Sequence, residues 1–69
     1  MVEVFKTNVY DEERSKALLE KLLFHFPDNT INFDLDDCDK ILRVEGNDIL
    51  PERIIELMIA NGYDCQILD

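Results

Sequence analysis

Residues 2–9, VEVFKTNV, alternate closely enough for a strand with one buried face. Phe5, Thr7 and Val9 fall on one side, and Val4, Lys6 and Asn8 on the other. The period then changes. Ala17, Leu18, Leu22 and Phe26 recur at helical spacing, with Leu19 and Leu23 beside them. Asn8 or Asp11 can cap this helix, and Asp11, Glu12 and Glu13 suit the positive end of its dipole. Pro27-Asp28-Asn29 ends it. In TINFDLDD, residues 30–37, Ile31, Phe33 and Leu35 alternate strictly with Asn32, Asp34 and Asp36, which predicts a second half-buried strand. Residues 36–40 make a polar turn, and ILRVEG, with Leu42 and Val44 inward, completes a hairpin. Pro51 stands at the natural first position of a second helix, whose apolar stripe is Ile54, Leu57 and Met58, broadened by Ile55 and Ile59. Asn61-Gly62 closes that helix, and Tyr63, Cys65 and Ile67 alternate in a short last strand.

The order strand, helix, strand, strand, helix, strand predicts an α+β, ferredoxin-like βαββαβ sandwich: four antiparallel strands with two helices on one face. The other face would meet water, as Lys6, Asn32, Asp34 and Arg43 suggest, with Val2, Val4 and Ile41 candidates for exposure among them. A chain of 69 residues makes one domain, residues 1–69. At this size about 60% of the unfolded chain's surface is buried, which leaves no room for a deep substrate cavity.

Charge narrows the function classes. Seven Lys and Arg stand against 16 Asp and Glu, a net of −9. Nucleic-acid binding rests on basic clusters, and so does attraction to anionic membranes, so both are set aside. A cation or a basic protein surface suits the balance, and charge of this size also serves solubility. The N-terminal segment does not read as a signal peptide, and no run approaches the roughly 20 apolar residues of a membrane span. A cytoplasmic location is expected. Cys38 and Cys65 are too few and too far apart for a disulfide framework, and two reduced thiols are expected.

The predicted topology brings three connections to one end: first strand to first helix, the hairpin turn, and second helix to last strand. That end collects Asp11, Glu12, Glu13, Asp36, Asp37, Asp39 and Asp64 against Arg14 and Lys40, with Cys38 in the turn and Cys65 just beneath. His25, the only histidine, belongs at the opposite pole, where it suits a helix C-terminus and cannot join either cysteine. Asp36, Asp37 and Asp39, with Asp11 or Glu12, can offer oxygen to a hard ion, but the run lacks the order of a calcium loop. No nucleophile pairs with a base, and two glycines, Gly46 and Gly62, make no phosphate loop, so no enzyme is expected.

PERIIELMIANGYDC, residues 51–65, has an apolar pair, an acid, a second apolar pair and Gly-Tyr before the last strand. With the hairpin INFDLDDCDKILRVEG, residues 31–46, and VYDEERSKALLEKL, residues 9–22, it resembles the heavy-metal-associated domain of small copper chaperones and copper-transporting ATPases. The resemblance spans nearly the whole chain. It implies a loop with Met, then Cys-x-x-Cys, then two apolar residues one turn apart. Leu18 and Leu22 match the last two, which puts Val9 on the Met and Asp11 and Arg14 on the two cysteines. Thiolates suit soft ions such as Cu(I); a carboxylate and a fixed guanidinium do not. Asp11 and Arg14, three apart at a helix start, are expected to pair with each other.

The expected function is that of a binding or adaptor domain without the family's metal site and with no cofactor. It would meet a basic protein surface through Asp11, Glu12, Arg14, Asp36, Asp37, Asp39 and Asp64, as a monomer or weak homodimer. The alternative is a metal-binding protein with a shifted site using Cys38, Cys65, Asp11 or the acidic loops. Cys38 and Cys65 are not expected to share an ion, because the first strand lies between the hairpin and the last strand.

Overall fold

The computed structural model describes residues 1–68. Its elements are β1 (Val2–Thr7), α1 (Glu12–His25), β2 (Thr30–Asp34), β3 (Ile41–Glu45), α2 (Pro51–Ala60) and β4 (Cys65–Ile67). The four strands form one antiparallel sheet in the order β2-β3-β1-β4, the α+β ferredoxin-like arrangement expected from the pattern. β1 is central, with Phe5 opposite Leu42 of β3 and opposite Ile67 of β4.

The core lies between the sheet and the helices. Phe5, Leu42 and Val44 rise from the sheet to meet Leu22 of α1 and Ile54 and Met58 of α2, all fully buried. The two helices are held by different means. Asp11 caps α1, its side chain accepting from the Arg14 backbone N–H at 2.8 Å. α2 has Pro51 in its first turn and no side-chain cap, so burial of Ile54 and Met58 is its main hold. At its far end Gly62 adopts φ +90, and the Tyr63 N–H returns to the Met58 carbonyl at 3.0 Å.

Several boundaries differ from the sequence pattern. β1 stops at Thr7, yet Val9 is fully buried as the chain turns over the core toward α1. Ser15 takes the buried place on α1 and Ala17 is exposed, because positions 15, 18 and 22 share one helical face and position 17 does not. Leu23 and Ile59 are exposed on the helices' outer sides. Phe26 caps α1 from outside the helix. Tyr63 precedes β4 rather than lying in it, and Ile67 is exposed at the free edge of the sheet. Ile49, in the connection before α2, joins the core unannounced by any periodicity.

Candidate functional site

Thr7 and Asn8, at the end of β1, tie the three connections together. The Thr7 N–H donates to the Asp39 carbonyl at 3.1 Å, and its hydroxyl donates to the Lys40 carbonyl at 2.6 Å. That hydroxyl oxygen also accepts the Val9 N–H at 3.2 Å. These bonds fasten the hairpin turn to the β1–α1 loop. Asn8 does the same for the α2–β4 connection: its Oδ1 accepts the Asp64 N–H at 2.9 Å, and its amide donates to the Asp64 carboxylate at 3.3 Å. Asn8 therefore does not cap α1, since both ends of its side chain serve Asp64. Neither residue stood out as functional in the sequence; the one cue was a Thr on the inward register at a strand end.

The turn is also braced from within. Asp37 Oδ1 accepts the Asp39 N–H at 2.9 Å, and the Lys40 N–H returns to the Asp37 carbonyl at 3.0 Å. Lys40 adopts φ 49, left-handed for a residue with a side chain. Its ammonium donates to the Leu35 carbonyl at 2.9 Å, within its own hairpin.

Asp11 and Arg14 do pair. The guanidinium donates to the Asp11 carboxylate and lies over the Tyr10 ring, 4.6 Å from its centre. The Arg14 backbone N–H, and then its side chain, hold the Asp11 carboxyl below the usual carboxylate range. The guanidinium's bond to the Asp11 carboxylate in turn raises the Arg14 pKa. At the position where the family resemblance implies two thiolates, the carboxylate is thus committed to a helix terminus and a fixed cation. This pair does not fit a soft metal ion.

The two thiols are placed apart. Cys65 is buried at the start of β4, paired with Thr7, and burial pushes its thiol up to about 12, which disfavours the thiolate a soft metal needs. Cys38 is exposed in the hairpin turn. Among the described residues, ligand atoms of Asp37, Cys38 and Asp39 lie within 4.8 Å of one another, without Cys65, Asp11, Glu12 or Asp36. Of the set expected for a hard ion, Asp37 and Asp39 are brought together, while Asp36, Asp11 and Glu12 lie outside that group.

What remains at this end is charge. Asp39 lies 3.8 Å from the Lys6 ammonium and Asp11 meets Arg14. Glu12, Glu13, Asp36, Asp37 and Asp64 have no ion-pair partner among the described residues, and all five are exposed. His25 ends α1 at the opposite pole, where it packs edge-on against Phe24. No helix among the described residues is long and apolar enough to cross a membrane. The chain matches no protein-family model, no curated protein and no solved structure.

Proposed function

We propose that this chain is a non-enzymatic protein-binding module, a heavy-metal-associated-like domain without the family's thiol site, acting in the cytoplasm. Its loop end docks a partner with a basic surface, and no cofactor takes part. One observation carries the reading: five exposed carboxylates, without ion-pair partners among the described residues, stand on a loop end that Thr7 and Asn8 fasten into a single frame. Fixed like charges attract a complementary surface without first having to be ordered, and they favour fast, salt-sensitive association. The proximity of Asp37, Cys38 and Asp39 favours a second reading, a metal-responsive turn.

The test is affinity capture from a lysate at low and high salt, with and without chelator. The bait is the wild-type chain or one carrying Asp36→Asn, Asp37→Asn and Asp39→Asn. A partner captured only by wild type, only at low salt and regardless of chelator supports docking through the acidic end. A partner retained at high salt by the substituted chain sinks it. Loss of capture with chelator, reproduced by Cys38→Ser alone, moves the assignment to the metal-responsive turn.

A further inference from the structure

The sheet face turned away from the helices is a second surface, independent of the loop end. Its composition follows from register. β1 contributes Val2, Val4 and Lys6; β3 contributes Ile41, Arg43 and Glu45, in the pairs Val2–Glu45, Val4–Arg43 and Lys6–Ile41. On β2, Asp34 stands opposite Ile41. Past β4, the Leu68 N–H donates to the Val4 carbonyl at 2.8 Å, which continues the register and sets Leu68 beside Val4. Val2 is 43% exposed and Leu68 40%, while Val4 and Ile41 are half-buried. Four apolar side chains therefore lie among four charged ones.

The signs of those four charges matter. Among the described residues Lys6 and Arg43 stand against Asp34 and Glu45, so this face balances on a chain whose net charge is −9. Lys6 also leans toward Asp39 at the border with the loop end. In a two-fold contact a surface meets itself. The loop end, placed against its own copy, would set carboxylates against carboxylates. The sheet face sets as many bases as acids, and Arg43 of one copy can meet Asp34 or Glu45 of the next. We infer that the outer sheet face is a self-association surface whose occupant is a second copy of this chain. Val4, Ile41, Val2 and Leu68 form its apolar part, and Arg43 is its principal charged contact.

Area sets the strength. Three strands with three outward residues each, and an edge with Gln66 and Leu68, all about 4.8 Å apart, give a flat face of roughly 350 Å². A standard stable interface buries about 800 Å² per partner. The dimer is accordingly weak, forming between micromolar and millimolar protein.

Sedimentation velocity across that concentration range tests the inference on the full chain. The wild type is expected to shift from monomer toward dimer as concentration rises. Arg43→Glu sets like charges opposite one another once for each copy, and Val4→Asp sets a carboxylate among the apolar side chains of each copy's face; each should weaken association about tenfold or more. Ile59→Asp, an added acid on the exposed side of α2, controls for net charge and should change it far less. Thermal melts at high dilution confirm that each variant folds. A monomer at every concentration overturns the inference. So does a dimer indifferent to Val4→Asp and Arg43→Glu, or one equally sensitive to Ile59→Asp, which would move the contact to the helices.

Discussion

At the loop end seven carboxylates face Arg14 and Lys40, while on the outer sheet face two carboxylates face two bases. Both regions are exposed, and both are built on the ends or backs of the same strands. They differ in what fixes their side chains. The loop end is held by polar bonds from Thr7 and Asn8 to backbone of other segments and from Asp11 and Asp37 to backbone within their own. The sheet face is held by strand pairing alone, and its outward positions simply alternate with the core. A surface fixed by polar bonds can keep like charges together, because each bond offsets part of their repulsion. A surface fixed by pleat and register has no such reserve, and here it carries balanced charge and apolar side chains instead.

The comparison can be broken or sharpened by substitution. The largest effect should come from beneath both regions. Leu42 is fully buried on β3, between the hairpin turn and the sheet face. Leu42→Ala should lower unfolding free energy by about 2–5 kcal/mol in urea denaturation. Both surfaces should then lose amide-exchange protection together; protection lost from one alone would show that they do not share a core.

A smaller and more local effect is expected at Thr7. Thr7→Val keeps the shape but removes the donor to Lys40 and the acceptor of the Val9 N–H. The loss should be about 1–3 kcal/mol. Amide exchange in residues 36–40 should accelerate while the β1–β3 amides below stay protected. Equal acceleration in both would mean the turn is not fastened separately.

The smallest effect should be electrostatic. Asp11→Asn keeps an N-cap side chain but removes the charge beside Arg14. The folded-state pKa of Asp11 lies below its ordinary 3.8, so its charge stabilises the fold fully above that value. That stabilisation is lost as pH falls through the lower, folded-state value. Melting temperatures of wild type and Asp11→Asn should therefore differ modestly at neutral pH and converge in strong acid. A constant gap down to that pH would show that the charge contributes nothing.

The elements were legible because their signals are local. Alternation around Ile31 and Leu42, helical spacing at Leu18 and Leu22, Pro51 at a helix start and Gly62 past its end each follow from a few neighbouring residues. The misreadings were local too. Val9 continues the alternation of β1, but the chain had already left the sheet, and a buried loop residue looks the same as a strand residue in one dimension. Ser15 stands three and seven positions before Leu18 and Leu22 and so shares their face, whereas Ala17 lies about 100° round the helix from Leu18. The polar side chain of Ser15 hid it from a reading of apolar positions. The pairing of Asp11 with Arg14 was readable from their spacing, whereas the part of Asn8 was not, since Asp64 lies 56 residues away.

By itself, then, the sequence determined the order of elements, the acidic balance and the absence of thiols at the β1–α1 loop, because composition and short-range periodicity require no third dimension. Only the tertiary structure decided which charges keep company. It fastened three distant connections through Thr7 and Asn8, and set Arg43 on one face with Asp34 and Glu45. Strand register sets those neighbours, and register is fixed by burying Phe5, Leu42 and Val44 together, a condition met only when the whole sheet has formed.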